Sequence, residues 1–415
     1  MPNPPANPPA APAIQPDPAA IHASALVIDA HADTPQRFVD ESWDFTSPLA
    51  IADQPAGHLN LATARRGNLA AEFFALWPDP AQCPGARYAL RTLTLLDAVR
   101  EQVRRHPTEL TLCTSPKEIL AARAANKFAI LLGIEGGHAI ENSLALLRLY
   151  HALGVRYMTL SWANSNDWAE SSGDLRAKAP AGLTPFGREV IAEMNRLGMM
   201  VDISHVSDRS FYHALVVSRA PVIASHSSSR AVANHPRNMT DDMLVALARN
   251  GGVAQVNFNC GFISDEYNAK TQAFEQAHPA ELKHAKELWI APKTPESQAE
   301  LDKLMAMKEA VVPRPPLSSL IDHFDHMIKI AGVDHVGIGS DFDGVECLPQ
   351  GIDGVQDLTK ITAELVKRGY TPQDLHKILG GNLLRVFGEV ERVSRQIQHE
   401  QNPDQRPEVA IPQAK

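Results

Sequence analysis

The sequence predicts an α/β fold: a (β/α)8 barrel of the TIM type that carries a metal-dependent hydrolase site. Eight short apolar runs alternate with amphipathic helical segments, which is typical of parallel βα units. Polar side chains of the metal-ligand type stand where several of these runs stop, and barrel enzymes carry their active sites at the carboxyl ends of the strands. The 415 residues suffice for one such barrel in a single domain.

The eight strand candidates are rich in β-branched residues or continuously apolar, as buried parallel strands are. They cover residues 26–31, 70–76, 128–134, 155–161, 199–204, 221–225, 252–258 and 334–340. No GxGxxG motif follows the first of them, so an open dinucleotide-binding sheet has no support. Eight units in succession therefore favour the closed barrel.

The helices between the strands carry start and stop signals. Ser115 stands three residues before Glu118, a capping box that predicts a helix to about Asn126. Thr240 begins another helix, and Gly198 ends the helix before the fifth strand.

One catalytic domain is expected over residues 21–395. Residues 1–20 are rich in Pro and Ala and residues 396–415 are polar, so both are predicted to lack packed structure. A charged insertion at about residues 262–316 interrupts the alternation between the seventh and eighth strands. It is a candidate lid or contact of a homodimer, and equally a solvated helical excursion.

Composition excludes several classes of partner. The net charge of −9 and the scattered Lys and Arg residues argue against nucleic acid. No run reaches the roughly 18 apolar residues that cross a bilayer. Four cysteines without CxxC spacing are expected to be buried thiols: Cys83, Cys113, Cys260 and Cys347. Since the N-terminus lacks a signal-peptide pattern, a cytoplasmic protein is expected, with a periplasmic or secreted one as the alternative if a signal peptide was removed.

Polar residues at the predicted strand ends are of the types that bind zinc. His31 and Asp33 project to one side of an extended segment because side chains alternate. Glu135 follows a buried run, where a carboxylate is costly unless a positive group meets it, and its two oxygens can bridge two ions. His205 and His226 are one βα unit apart, which places them on adjacent strand ends. Taken alone, the His31–Asp33 pair is more often incidental and each of the other two histidines is more often an ordinary hydrogen-bonded residue. The alternative for Glu135 is a salt bridge to an arginine.

Asp341 follows the eighth predicted strand in the segment GIGSDFDG, where glycines permit a tight turn. Near two cations this carboxylate stays ionised and can accept a proton from a water molecule. Asp343 is the competing candidate. Asp341 is preferred because it follows the apolar strand directly.

Five motifs in this order resemble the membrane (renal) dipeptidase family of binuclear zinc peptidases, which has an amidohydrolase-like barrel. They are DAHADTP, GIEGGHAI, DISHVSD, ASHSSSRAVANHPRN and HVGIGSDFDG, and the resemblance extends over about residues 21–392. It implies two zinc ions per chain and an acid/base role for Asp341. It also implies that Arg237 receives the terminal carboxylate of the substrate, for which a planar guanidinium is suited. The ligands that it implies are His31, Asp33 and Glu135 for one ion, and Glu135, His205 and His226 for the other.

The resemblance implies a zinc-dependent dipeptidase that hydrolyses L-Xaa-Xaa substrates, with a D-residue at the C-terminal side as a further option. The attacking group would be a hydroxide that bridges the two metals. Two alternatives stay open: a binuclear-zinc amidohydrolase acting on N-acyl amino acids or lactones, and a metal-binding protein without catalysis. Asp341 and Arg237 argue against the last, because a structural site needs neither.

The chain departs from the family's pattern at Trp162, where better-known members carry a histidine that stabilises the tetrahedral intermediate. An indole has one N–H donor and no titrating nitrogen, so it cannot supply a charged imidazolium. We interpret Trp162 as a wall of the substrate pocket. Asn164 follows closely and is a candidate for the missing hydrogen bond to the substrate.

Overall fold

Eight parallel strands form a nearly closed barrel in the computed structural model, which describes residues 17–48, 57–83, 85, 87–174, 181–290 and 294–401. Each of the eight predicted strand segments overlaps one barrel strand, so the predicted fold is confirmed. The barrel strands are β1 (Val27–Ala32), β2 (Leu69–Leu76), β4 (Phe128–Ile134), β5 (Val155–Thr159), β6 (Met200–Asp202), β7 (Ile223–Ala224), β8 (Val253–Val256) and β9 (Val336–Ile338). A short strand that was not predicted, β3 (Leu110–Leu112), pairs with β4 outside this path.

The helices alternate with the strands, as expected of βα units. In the described residues they are α1 (Pro18–Ser24), α2 (Pro35–Asp40), α3 (Leu61–Arg66), α4 (Tyr88–Arg105), α5 (Pro116–Ala124), α6 (Leu144–Ala152), α7 (Pro185–Leu197), α8 (Asp208–Val217), α9 (Asp241–Asn250), α10 (Cys260–Ile263), α11 (Asp265–Ala277), α12 (Pro279–Ile290), α13 (Pro295–Val311), α14 (Leu317–Ala331), α15 (Leu358–Lys367), α16 (Pro372–His376) and α17 (Asn382–Gln401). Short 3-10 or π turns occupy Gly137–Ile140, Val333–His335, Val355–Asp357 and Lys377–Gly381.

The predicted helix signals are used as expected, with one difference. The Ser115 side chain accepts a hydrogen bond from the backbone of Glu118 and caps α5. The Glu118 carboxylate, however, accepts from the Thr114 N–H at 2.6 Å, so the reciprocal half of the capping box is displaced by one residue. Thr240 caps α9, and Gly198 ends α7 in the left-handed conformation at φ 82°.

A bulge in β1 sets the direction of the residues that follow it. Asp29 pairs with Glu72 and Ala32 pairs with Phe74, so two residues of β1 lie opposite one residue of β2. Such a bulge reverses the alternation of side chains and re-aims one of them. The end of β1 then closes the barrel through a parallel bridge between Ala32 and Phe342.

The segment predicted as an insertion, residues 262–316, is helical in its described part and runs from α10 through α13. Helices α11, α12 and α13 pack against one another. Both expected tails are shorter than predicted, because α1 covers residues 18–20 and α17 continues to Gln401 with Ile397 buried on its apolar face. The rest of the two tails, residues 1–16 and 402–415, lies outside the described residues.

The expectation of four thiols is wrong for two cysteines. Cys260 and Cys347 form a disulfide, with Cα atoms 5.4 Å apart, between residues 87 positions apart in the sequence. Local spacing carries no signal for such a pair. Cys83 and Cys113 are free and buried, as predicted. Among the described helices, none has the length and apolar character required of a membrane span.

Candidate metal centre

The six strand-end residues singled out in the sequence lie together at the carboxyl ends of the barrel strands. All six are at least nine-tenths buried, and they come from five different strands or the residues just after them. The six are His31, Asp33, Glu135, His205, His226 and Asp341. Two groups of three have ligand atoms within 4.8 Å of one another: His31, Glu135 and His226, and His31, Asp33 and Asp341.

The Glu135 carboxylate lies between the imidazole of His31 and the imidazoles of His205 and His226, with one oxygen facing each group. Its Oε2 atom is 3.3 Å from His31 Nε2. Its Oε1 atom is 2.9 Å from His205 Nε2 and 3.6 Å from His226 Nε2. The carboxylate therefore divides the centre into an Oε2 side and an Oε1 side.

The Oε2 side is rich in carboxylates. His31 Nε2 is 3.5 Å from Asp33 Oδ2 and 3.9 Å from Asp341 Oδ1. Burial, followed by the charge of Glu135, raises the pKa of Asp33 to about 7. Burial also raises the pKa of Asp341. Without a cation, this side therefore favours bound protons.

The Oε1 side holds two imidazoles whose Nε2 atoms are only 2.8 Å apart. Burial, followed by the charge of Arg237, lowers the pKa of His205 to about 4. Burial and then the charge of His31 lower the pKa of His226 well below its ordinary value. Both rings are therefore neutral near pH 7 and present lone pairs, as metal ligands must.

The residues fit a bound cation. The Nε2 atoms of His205 and His226 lie 2.8 Å apart, so at most one of them can carry a proton in this contact, and both can face a single cation when neither does. His31 Nε2 and Asp33 Oδ1 are buried and have no hydrogen-bond partner among the described residues. Burial alone would raise the pKa of Glu135, but the positive charge of His31 and a hydrogen bond from His205 lower it, so this carboxylate is ionised. Imidazole nitrogens and carboxylate oxygens together suit a transition-metal ion.

Local backbone geometry positions these side chains. His205 and Asp341 adopt positive φ values of 65° and 64°, a region that residues other than glycine occupy rarely and mostly at functional sites. At Gly344 a Cβ atom would lie 2.2 Å from Asp33 Oδ2 and 2.6 Å from Asp341 Oδ1. Only glycine at this position lets the two carboxylates approach each other.

Two residues that the sequence did not single out hold members of the set. Tyr157 places its hydroxyl 2.8 Å from His31 Nδ1, and its ring lies where a side chain at Gly133 would be. Asn257 donates from Nδ2 to Asp341 Oδ2 at 2.9 Å. Neither carried a local motif, because each contact joins strands distant in sequence.

Asp343, the competing acid/base candidate, has both carboxylate oxygens engaged. Its Oδ2 accepts from the Thr34 hydroxyl at 2.6 Å, and its Oδ1 accepts from the His58 backbone N–H at 2.7 Å. These bonds tie together loops at the barrel mouth. These contacts indicate a structural role for Asp343. Asp341, by contrast, lies in one of the two groups of candidate ligands.

Arg237 lies beside the Oε1 side and is 8% exposed. Its Nη2 donates to the His226 carbonyl at 3.1 Å and its Nη1 to the Ser227 hydroxyl at 3.4 Å. The guanidinium carbon lies 5.3 Å from the ring centre of Phe262, the first residue of the predicted insertion. Burial lowers the pKa of Arg237 to about 10, which leaves it charged at neutral pH.

Trp162 also borders the Oε1 side. Its ring centre is 6.3 Å from that of His205 and 4.8 Å from that of Trp77, which follows β2. The two indoles form a tryptophan pair that the sequence did not indicate, because each follows a different strand. The Asn164 side chain, by contrast, donates locally from Nδ2 to the Ser165 carbonyl at 3.5 Å.

A barrel with this donor set at its strand ends is of the class that metal-dependent hydrolases use. The chain matches the model of the membrane dipeptidase family (Peptidase family M19) over residues 17–401. It belongs to that family, which implies metal use, and the groups of three described above are candidate metal-binding residues. The family resemblance predicted from the sequence is thereby confirmed.

Among its relatives, the chain is 33% identical to Dipeptidase 3 of Mus musculus over 370 residues and 32% identical to Dipeptidase 3 of Homo sapiens over 372 residues. Each match covers 88% of this chain and 65% of the relative, so the chain spans less than two thirds of the length of these curated relatives.

Two solved structures share the fold. The probable dipeptidase PvdM from Pseudomonas aeruginosa has a TM-score of 0.76 and 27% identity, over 91% of this chain and 98% of that one. A metallopeptidase from Rhodobacter sphaeroides, liganded with a phosphinate mimic of the dipeptide L-Ala-D-Ala, has a TM-score of 0.71 and 24% identity, over 88% of this chain and 99% of that one.

Proposed function

We propose that the chain is a zinc-dependent dipeptidase that binds two zinc ions. The observation that carries the proposal is Glu135, whose two oxygens face separate donor sets. His31 and Asp33 would hold one ion with Glu135, and His205 and His226 would hold the other. When bound, the two ions would polarise the scissile carbonyl and lower the pKa of an attacking water molecule.

Asp341 is the proposed proton carrier. Asn257 engages its Oδ2 atom, which leaves Oδ1, 3.9 Å from His31 Nε2, directed at the centre. A carboxylate in this position accepts the proton of the attacking water and delivers it to the departing nitrogen. Asp343 is unsuited to this role because both of its oxygens already accept hydrogen bonds.

Arg237 is the proposed anchor for the C-terminal carboxylate of the substrate. It is a buried cation whose Nε atom has no hydrogen-bond partner among the described residues, and such a group gains most from an anionic ligand. An anchor for the terminal carboxylate next to a metal centre suits substrates with one residue after the scissile bond. The site therefore favours dipeptides over longer peptides, with L- or D-configured C-terminal residues as candidates.

The tryptophan pair, Trp77 and Trp162, is the proposed wall for the N-terminal side chain of the substrate. The Trp162 ring centre lies 6.3 Å from that of His205, so the indoles border the metal centre where a substrate side chain would pass. Indole faces favour large apolar or aromatic side chains. Asn164 stays a weaker proposal for a substrate contact, because its described hydrogen bond is local.

The second candidate function is an amidohydrolase acting on N-acyl amino acids or lactones. Arg237 suits N-acyl amino acids, which carry a carboxylate, and gives no advantage to simple lactones. For the compartment, the disulfide favours the periplasmic or secreted alternative over the cytoplasmic expectation, because disulfides persist in oxidising compartments. A homodimer stays a prediction.

A substrate panel on zinc-loaded protein tests the function. It contains L,L and L,D dipeptides, the same dipeptides amidated at the C-terminus, N-acetyl amino acids and a lactone, each with a chelator control. We expect dipeptide hydrolysis that amidation abolishes. Arg237→Met should raise KM at least about thirtyfold, the loss typical of truncating a buried charge pair, and Arg237→Lys should recover part of it. Faster turnover of N-acetyl amino acids than of any dipeptide would favour the second candidate.

A further inference from the structure

Two buried aspartates, Asp29 on β1 and Asp202 on β6, make the same backbone contacts. Asp29 Oδ1 accepts from the N–H of His31 two residues on, at 3.4 Å, and from the N–H of Ser340 after β9, at 2.9 Å. Asp202 Oδ1 accepts from the N–H of Ser204 two residues on, at 3.1 Å, and from that of Ser225 after β7, at 2.8 Å. Each carboxylate thus ties its own strand end to a neighbouring one.

The second oxygen of Asp202 does something further. Asp202 Oδ2 accepts from the Thr159 hydroxyl at 2.5 Å and from the Ser225 hydroxyl at 2.6 Å. The same Ser225 hydroxyl lies 2.7 Å from Nδ1 of His226. A continuous chain of hydrogen bonds therefore links the Asp202 carboxylate to the His226 ring. In the described residues, no hydrogen bond joins Asp29 to an imidazole ring.

The chemistry of the three groups fixes the direction of the protons. A carboxylate only accepts, so the single hydroxyl hydrogen of Ser225 points to Asp202. The Ser225 oxygen must then accept a hydrogen from His226 Nδ1. This places the ring proton on Nδ1 and the lone pair on Nε2, which faces Glu135 Oε1 at 3.6 Å.

We propose that Asp202 and Ser225 are positioning residues that hold His226 in the tautomer and orientation that bind metal. The inference rests on the proposed two-ion function. His205, the other imidazole on the Oε1 side, has a buried Nδ1 without a hydrogen-bond partner among the described residues. His226 is therefore the preorganised ligand of this side, and outer hydrogen bonds of this kind raise metal affinity.

The test compares Ser225→Ala with the matched control Ser340→Ala. Ser340 is also a buried serine whose N–H donates to the equivalent aspartate, and its hydroxyl oxygen lies 3.4 Å from the His31 carbonyl rather than next to a ring nitrogen. Zinc affinities come from chelator competition on the full chain. Cobalt-substituted protein adds the visible absorption of the bound ion, which reports ligand geometry.

We expect Ser225→Ala to lower the affinity for one of the two zinc ions by about 10–100-fold, the usual effect of losing an outer hydrogen bond to a ligand. The cobalt spectrum should change as well. Ser340→Ala should leave both affinities within about twofold of wild type, a range that separates it from the 10–100-fold effect. Asp202→Asn, which keeps the side-chain volume, should reproduce the loss if Ser225→Ala folds poorly.

Equal zinc affinities and cobalt spectra in wild type and in folded Ser225 and Asp202 variants would overturn the positioning role. The affinity comparison decides this role whatever substrate the enzyme takes. The substrate panel decides the proposed function separately, so the two can fail independently.

Discussion

The two sides of Glu135 differ in chemistry, although they share one carboxylate. The Oε2 side combines one imidazole with two carboxylates, whereas the Oε1 side presents two imidazoles. Burial acts on them in opposite ways: it raises the pKa of Asp33 to about 7 and lowers the pKa of His205 to about 4. A cation entering the Oε2 side must displace protons, whereas the imidazoles of the Oε1 side are already neutral.

The largest expected effect comes from removing the group that the two sides share. Glu135→Gln should lose metal from both sides and lower activity by at least about a thousandfold, because metal-assisted chemistry contributes several kcal/mol of the transition-state stabilisation. Metal content after dialysis, measured by plasma mass spectrometry, checks this.

Glu72→Gln is the matched control for Glu135→Gln. Glu72 is fully buried on β2, where burial raises the pKa of its carboxyl group well above the ordinary value, and it is not one of the proposed ligands. It should retain both ions. A Glu135→Gln protein that still holds two zinc ions would show that neither side depends on the shared carboxylate to bind metal.

A second substitution separates metal binding from proton transfer on the Oε2 side. Asp341→Asn should keep both zinc ions and lower kcat by about 10²–10⁴-fold, the usual contribution of a general acid or base. Asp343→Asn is the control. It should lower the melting temperature and change kcat little, because Asp343 ties loops together. Normal turnover by Asp341→Asn would remove its proposed role.

The smallest expected effect is the pH dependence of zinc binding, which tests directly whether the two sides of Glu135 differ. Asp33 has a folded pKa raised to about 7, so its contribution to the stability of the metal-free fold is fully present below its ordinary pKa and is lost as pH rises through 7. Zinc competes with that proton. The affinity of one ion should therefore fall about tenfold per pH unit below 7 for each proton displaced.

The other ion should behave differently, since the pKa of His205 is lowered to about 4 and no proton needs to leave. Calorimetry in two buffers of different ionisation enthalpy counts the protons released. Release with only one of the two ions is the expected result. Equal release with both ions would show that the two sides do not differ in this way.

The sequence predicted the barrel and its strands because buried parallel strands leave continuous apolar runs, and it pointed to the polar residues where those runs stop. It did not reveal Tyr157 or Asn257, since their contacts join strands far apart in the chain. Nor did it reveal Ser225, whose role depends on a hydrogen bond to Asp202 on the preceding barrel strand. The Cys260–Cys347 disulfide escaped for the same reason. Three-residue β3 is too short to leave a periodic pattern.

The bulge in β1 is a further feature that pattern alone did not predict. Simple alternation predicts that the His31 and Asp33 side chains project from the same side of the chain. Which side faces the barrel mouth depends on the register shift between β1 and β2. The tryptophan pair could not be predicted from the sequence either, because Trp77 follows a strand with no candidate ligand at its end. Local pattern thus identified candidate ligands, and the structure identified the residues that hold them.

The most direct test of the account is the position of zinc in crystals of the zinc-loaded protein, measured by anomalous scattering at the zinc edge. The account predicts two peaks, one beside Glu135 Oε2, His31 and Asp33, and one beside Glu135 Oε1 and the two histidines His205 and His226. A single peak, or two peaks of which one lies away from Glu135, would contradict it.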